Sequence, residues 1–482
     1  MRKVKKWLVF SGILLIVVIG AFFIVFEFVL KQKPFATAED YWAQEKKGQL
    51  TTDALGHWTY AVNTADVLSY SQDPFFDMPR PYDMEMYRKW VEENRYNEIA
   101  IRRVYEGFSQ DGDYGWPAEL RGTGWLYAAE PFILAAPSVA IIEPGRTAEA
   151  VFVLNEFIKL FRSPAVWLDY AITWGYDDPM RDNMMWKGPL LIGESLYALM
   201  TGDKDKYGPE AKAIAQNLYE LQKKHLRMPL GKGFSGGVEC EPNHWYPQCN
   251  SIGIIALAIY DRVYGKDEKY GIEIGKAYRE NYLKFLKDYM MEPGTYLIYR
   301  RWHPYGPQMA DKNISASTNI FVSMNLHPFY PDFGKKLYEH VRFNYVRRYP
   351  LGIGYAILEV PEKNLRGRII NPASNTPGML GLSYLNIFAA WVAAKEMGDK
   401  ETFDGINRFL TNLTHPYFIQ GEIRFDETNP EPAGLGKATV GQILNMHSGW
   451  WLLAKVHVGW KTILEHDWSK HRDKEGHLLN NP

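Results

Sequence analysis

Cysteine is almost absent. Cys240 and Cys249 are the only two in 482 residues, which excludes a disulfide-dense scaffold and any all-cysteine metal site. An excess of charge of one sign is missing too: 55 Lys and Arg face 56 Asp and Glu, for a net charge of −1. No long-range field therefore draws the chain to nucleic acid or an acidic polymer. No H-E-x-x-H occurs and the 12 histidines are scattered, so no metal site is expected. After the N-terminal segment no second long hydrophobic run follows, and no linker divides what remains, so 35–482 is expected to form one soluble body. Apolar residues at 46% and charged residues at 23% are ordinary globular usage, which excludes disorder and coiled coil as overall descriptions.

What is plentiful is aromatic: 16 Trp, 31 Tyr and 24 Phe supply rigid amphipathic walls, suited to a deep cavity or to a ring-rich helical core. Arg2, Lys3, Lys5 and Lys6 precede Trp7 to Phe26, a run of 20 residues without a charge. At 1.5 Å per residue such a helix is about 30 Å long, the thickness of a bilayer core. Residues 1–34 thus read as a cytoplasmic basic tail and a transmembrane anchor, placing the body outside the cytoplasm. A signal peptide is the rival reading, since Ala36-Thr37-Ala38 has the small-x-small form of a cleavage site. Either way the body is exported, periplasmic or at the cell surface.

From about Ala148 onward apolar residues recur at helical spacing, with Val151, Leu154, Phe157 and Phe161 on one stripe and Ile214, Leu218 and Leu221 on another. Three such helices end in glycine, at Gly202, Gly265 and Gly398, where a left-handed C-cap is expected. These glycines lie 63 and 133 residues apart, close to one and two units of about 65, the length of two helices with loops. Roughly six units would fill the body as a closed toroid of helical hairpins, with an irregular helical domain as the alternative. Ser71 to Gly124, rich in Gly, Pro and rings, reads as long loops over the body.

The segment Gly233 to Asn250 holds both cysteines and is the densest functional candidate. Its glycines and prolines make it a loop, and the helix Ile252 to Tyr264 follows, so its second half sits where the helix dipole favours thiolate or carboxylate. The loop can be a packed one with buried thiols, a disulfide in an exported protein, or an acid–base site using sulfur. Gly233-Phe234-Ser235-Gly236-Gly237 matches G-x-S-x-G but lacks the strand before and helix after that a seryl nucleophile needs. Asp177, Asp178 and Asp182 precede a helix as caps or substrate ligands. Asp177 and Asp178, with Glu239 and Glu241, are what a glycoside hydrolase or lyase on a helical toroid would use. His303 and His447 are further candidates for a cavity wall.

Cys240-Glu241-Pro242, five residues, then Gln248-Cys249-Asn250-Ser251, followed by Tyr260-Asp261-Arg262, resembles the linalool dehydratase/isomerase family. Asn183 to Gly188 with Leu196-Tyr197, His303-Pro304, Met397-Gly398-Asp399 and Leu453 to His457 are similar in the same order. The resemblance implies an all-α (α/α)6 barrel, export, ring homo-oligomers, and conversion of a terpenoid allylic alcohol without organic cofactor or metal. By resemblance the active-site cysteines are Cys240 and Cys249, the carboxylate is Asp66, a tyrosine is Tyr127 and a pocket methionine is Met185. Substrate contacts are expected from Met185, Trp186, Glu241, Trp245, Tyr246, His303 and Ser317, with the rings of Trp186, Trp245 and Tyr246 facing developing positive charge. The chain departs from the family at Pro189 and Ser317, where the family has His and Tyr, and near Gln72, where Tyr70 is the nearest phenol. The expected activity is thus a dehydratase/isomerase on an allylic alcohol. A carbohydrate-active enzyme and a membrane-tethered binding protein with bridged cysteines are the alternatives.

Overall fold

Leu154, Phe157 and Phe161 are fully buried and Val151 nearly so, as one apolar stripe dictates. Burying side chains of this size stabilises by about 1.5 to 3 kcal/mol each. The computed structural model describes residues 12–22, 34–69, 121–162, 180, 183–240, 242–307, 309–350, 352–358, 378–379, 382–414, 416–419, 422–425 and 449–480. The protein is mostly helical. Its strands, among the described residues, pair as four two-stranded antiparallel ribbons.

After a helical stretch at 12–22 come α1 (Ala38–Lys47) and α2 (Thr52–Ser69), then α3 (Arg121–Ile142) and α4 (Thr147–Arg162). Next are α5 (Met184–Thr201), α6 (Gly208–His225), α7 (Pro247–Tyr264) and α8 (Gly275–Phe285). α9 (Ala316–Leu326), α10 (Pro331–Tyr345), α11 (Tyr384–Glu396) and α12 (Lys400–Thr414) follow, with α13 at 449–456 and α14 (Trp460–Glu465) last. The odd-numbered helices from α3 to α13 are the inner ones. Each contributes residues to a single axial cleft: Glu130, Ile192, Ile255, Phe321, Val392 and Leu453. From α4 to α12 each even-numbered helix packs behind the inner helix that precedes it.

This is the expected arrangement of helical hairpins, with one feature that the period did not foretell. The sixth inner helix, α13, has its outer partner at the other end of the chain. The His57 and Trp451 rings of α2 and α13 lie 5.6 Å apart, and Lys455 Nζ donates to Asp53 at 2.6 Å. Around that seam Tyr41 and Thr51 also donate to Asp53, while Lys395 of α11 pairs with Glu45 of α1 and donates to the Lys455 carbonyl at 2.5 Å. Burial pushes the Asp53 carboxyl up, but the Lys455 ammonium and these hydrogen bonds outweigh it and bring the pKa down to about 2.

Helices begin earlier than the amphipathic pattern indicated. Three precede Ala148, and Arg121–Gly124, read as the end of a loop, starts α3. α3 is apolar on every side, with Pro131 and Pro137 inside it; an inner helix buried all round shows no stripe. The rest of Ser71 to Gly124 lies outside the described residues. Gly202 and Gly398 take the left-handed conformation expected of C-caps, with φ of 75° and 70°. Gly265 does not, at φ −47°. There glycine is required by close approach, since a Cβ would sit 2.5 Å from the Asp261 carbonyl oxygen.

Candidate functional site: the cysteine loop and the axial cleft

Helix α7 starts at Pro247 rather than Ile252, because proline at the first helical position is already set for the helix and needs no N–H partner. Cys249 is therefore in the first helical turn. Cys240 lies on the incoming loop, its N–H donating to the His244 carbonyl at 2.9 Å. Both cysteines are free thiols and buried, so the bridged reading is not what the structure holds.

Asn250 fixes the loop on both sides. Its Oδ1 accepts from Val238 N at 2.9 Å and from the Tyr278 hydroxyl at 3.1 Å, and its Nδ2 donates to the carbonyls of Val238 and Tyr246 at 2.8 and 3.0 Å. Gly237 makes room, since a Cβ there would meet Asn250 Oδ1 at 2.1 Å. Gln222 donates to the Gly236 and Tyr278 carbonyls, each at 3.0 Å. His225 Nδ1 donates to the Gly237 carbonyl at 2.8 Å. Ser235 is buried in this loop and donates to the same carbonyl at 3.1 Å, with no strand and helix around it to make a nucleophile.

Two buried phenols of α8 accompany the thiols, and sequence reasoning did not name either. Burial pushes Tyr278 and Tyr282 well above the ordinary phenol range, with Cys240 and Cys249 respectively adding to the rise; both stay protonated donors. Tyr282 gives its hydroxyl to the Pro247 carbonyl at 2.7 Å. Their spacing of four on an amphipathic helix reads as ordinary core, which is why the pattern hid them.

Met185 and Trp186 are brought to the loop: α5 opens with Met184 N donating to the Glu239 carbonyl, next to Cys240, at 3.1 Å. Met185 is buried, and Trp186 Nε1 is held by the Phe161 carbonyl at 2.7 Å. Pro189, the sixth residue of α5, is buried and has no N–H to offer. Ser317 stands half-buried in the first turn of α9, 3.2 Å from the Ser315 hydroxyl, and its neighbour Thr318 donates to Gln248 of the loop at 3.2 Å. His303 is half-buried on the far side of the loop, with Nδ1 on the Asn243 carbonyl at 3.1 Å and its ring 5.0 Å from that of His244. Burial brings His244 down to about 4. Tyr246 is buried beside Pro247.

Other expectations are not met by placement. Trp245 packs into an aromatic cluster with Phe285 and Tyr282, at 4.9 and 5.8 Å, and does not line the axial cleft. Asp66 is exposed at the end of α2. The side chain of Tyr127, and Glu241, Asp177, Asp178, Asp182, Tyr70, Gln72 and His447 altogether, lie outside the described residues. Among the described residues no three His, Cys, Asp or Glu side chains converge as a metal site would require.

The axial cleft runs below this loop. Ile252, one turn after Cys249 on α7, lines it, as do Ile192 of α5 and Met324 of α9. Three polar residues share this apolar wall: Glu130 of α3, Asn325 of α9 and His457 just after α13. Asn325 donates to Ser251 at 3.0 Å, tying the wall to the Gln-Cys-Asn-Ser turn. Glu396 accepts at 2.7 Å from His457 Nε2 and also faces His327 Nδ1 at 3.2 Å. Burial pushes Glu396 up, but these two imidazoles and the Trp460 N–H hold it below the usual carboxylate range. Burial alone pushes Glu130 up to about 8.

A ring of helical hairpins with two buried, unbridged cysteines at the start of one inner helix, beside an apolar cleft, defines a mostly helical protein. A family model described as linalool dehydratase/isomerase matches residues 169–430, more than half of the chain, and the chain belongs to that family. Among solved structures it is similar to a family 76 glycoside hydrolase (mannosidase) from Bacteroides thetaiotaomicron VPI-5482, at 12% identity over 83% of this chain and 98% of that one, with a TM-score of 0.41. It is also similar to the GH76A alpha-1,6-mannanase of Salegentibacter sp. HEL1_6, at 14% identity over 80% of this chain and 100% of that one, with a TM-score of 0.40.

Proposed function

We propose that this protein is a cofactor-independent dehydratase/isomerase of a terpenoid-like allylic alcohol, with Cys240 and Cys249 at the centre of its proton traffic. The observation that carries the reading is the pair of free, buried thiols in the family's own motif, held by Asn250 at the upper end of an apolar cleft. Dehydration delivers a proton to the hydroxyl, which leaves as water, while a base takes a proton from a neighbouring carbon. Isomerisation returns water to the other end of the allylic system. Positioned groups of this kind contribute about 10²- to 10⁴-fold each.

Export and membrane attachment belong to the same proposal. Ile13 to Ile19 are large apolar side chains exposed all round a helical segment, although among the described residues no helix is long and apolar enough to cross a membrane. Retention of the N-terminal segment is supported by Ala36 and Ala38, which are buried. The Ala36 carbonyl accepts from Asn407 at 2.8 Å, and Ala38 N donates to Asp404 at 2.6 Å. Thr37 and Asp40 form the capping box of α1. A cut after Ala38 would remove all of these.

The test is turnover of a panel of allylic alcohols by the full chain under reducing conditions, with products read by gas chromatography and mass detection. Cys240→Ala and Cys249→Ala should each lose at least about 100-fold with the helical circular dichroism unchanged. Unaltered turnover in both variants would sink the thiol mechanism.

A further inference from the structure

Large apolar side chains are scarce on the surface of the body. Beyond the N-terminal segment and Phe35, those exposed among the described residues are Leu230, Tyr289, Tyr305 and Phe343, at 53%, 40%, 49% and 88%. The first three share one rim, where the chain enters the cysteine loop. Gly306 N donates to the Gly231 carbonyl at 3.1 Å and Gly233 N to the Pro304 carbonyl at 2.9 Å, which pairs Tyr305 with Lys232 across an antiparallel bridge. Glycine at 233 admits the Tyr305 ring, since a Cβ there would stand 3.2 Å from its hydroxyl. Phe234 carries the rim on to Tyr289, with ring centroids 5.2 Å apart. A contiguous apolar patch edged by polar residues marks a surface that meets another apolar phase.

The same rim is cationic. From Leu221 to Val238 the chain carries Lys223, Lys224, Arg227 and Lys232 without one Asp or Glu, in a protein whose acids and bases otherwise balance. Lys223 pairs with Glu220 at 3.0 Å, and Asp288, next to Tyr289, is taken by Lys284 at 2.5 Å. Lys224, Arg227 and Lys232 are exposed, and among the described residues none of these three forms an ion pair. The fold puts them there. α6 ends at His225, whose ring turns inward onto the Gly237 carbonyl. The chain then leaves through two tight turns, closed by Arg227 N on the Lys224 carbonyl at 3.1 Å and Lys232 N on the Pro229 carbonyl at 3.0 Å, with Leu230 inside the second.

We propose that this rim docks on an anionic lipid surface, with Leu230, Tyr289 and Tyr305 at headgroup depth and Lys224, Arg227 and Lys232 among the phosphates. Two properties together select that partner. Rings and aliphatic tips settle at the boundary between headgroups and acyl chains, and basic side chains are drawn to the negative potential of anionic lipid. A soluble polyanion would use the cations and leave Leu230 in water. A second copy docked by the same face would set the cations against one another. The proposal takes membrane attachment, but not the reaction, from the reading above. Thirteen residues separate Phe22 from the buried Ala36, at most about 50 Å of chain, so the apolar helix at 12–22 and the docked body can share one bilayer. Docking sets the outer side of the Cys240 loop against the lipid.

The test is amide hydrogen exchange of the full chain in nanodiscs of phosphatidylcholine, alone or mixed with phosphatidylglycerol. In the anionic discs residues 227–233 and 302–306 should exchange at least about tenfold more slowly than in the neutral ones. Salt at about 1 M should remove the difference, since the Debye length is then about 3 Å. Each basic side chain near such a surface is worth about fivefold, so Lys224→Gln/Arg227→Gln/Lys232→Gln should weaken docking about 100-fold and restore the neutral-disc rates. Leu230→Ser should also weaken it, whereas Phe343→Ser, which removes the exposed ring of α10, should not. Equal exchange in the two compositions, or full protection in the triple variant, would overturn the proposal. Protection already present in neutral discs and rising with protein concentration would overturn it too, by assigning the rim to a second copy of the chain. Should the full chain stay out of the discs, the attachment reading fails, and co-sedimentation with vesicles of the same two compositions decides the docking. The wild type should pellet with the anionic vesicles only, and a chain left in the supernatant would refute docking as well.

Discussion

At the seam where α13 meets α1 and α2, Asp53, Glu45, Lys395 and Lys455 lie buried or half-buried as opposite charges, whereas around the cysteine loop Asn250, Gln222, His225 and Tyr278 bind one another and the backbone mainly through neutral groups. The sequence distances differ as much as the chemistry. The charged contacts join residues 402 and 350 positions apart, while the hydrogen bonds of Gln222 and Asn250 reach no further than 59. Neighbouring hairpins find one another by being close in the chain and apolar on facing sides. The two chain ends have no such proximity, and a buried ion pair rejects every mispaired closure that strands a charge. Around the thiols the opposite is needed: amides and phenols hold the loop without imposing the field of a paired cation or anion.

Breaking the seam should have the larger effect. Lys455→Met leaves the Asp53 carboxylate buried without its cation and should cost about 3 to 5 kcal/mol in denaturant unfolding. Asp53→Asn in the same chain should recover part of that loss. Acid should act on the same pair next. The Asp53 pKa is depressed, so its contribution is complete above its unfolded value of 3.8 and is lost as pH falls toward about 2, a loss of about 2 kcal/mol. Asp53→Asn should abolish that part of the pH dependence, and an unchanged acid slope in this variant would assign it elsewhere. The smallest effect should come from the neutral cluster: Tyr278→Phe removes one hydroxyl from an Asn250 oxygen that still accepts from Val238, and should cost about 1 kcal/mol. Should it cost as much as Lys455→Met, the contrast between the two regions would fail.

Much of this was legible in the sequence, for physical reasons. Outer helices such as α4 and α6 face both core and water, so their stripes carry the helical period, while glycine punctuates the ends of the inner helices α5, α7 and α11. The inner helices are apolar all round, and α3 in particular shows only a hydrophobic stretch broken by prolines. The Cys-Glu-Pro to Gln-Cys-Asn-Ser run was readable as a site because its thiols and turn residues are rare in such a pattern. That Asn250 staples it to Val238 and Tyr246 follows from the fold alone. Glu130 had a signal, one carboxylate within an apolar run, whereas its place in the lining of the cleft requires the ring to be closed. Asp66 was placed by position in a family pattern and Trp245 by the affinity of rings for positive charge, and the fold puts the first in solvent and the second in an aromatic cluster.

The closure of the ring by its own ends also sets an order of assembly. Asp53 is synthesised 402 residues before Lys455, which at about 5 to 20 residues per second is a delay of about 20 to 80 s. For that interval the face of α2 that packs on α13 is uncovered, and Asp53 has no cation. The first two helices of the body are thus obliged to wait for the last, and whatever shields them meanwhile decides how much of the chain reaches its folded form.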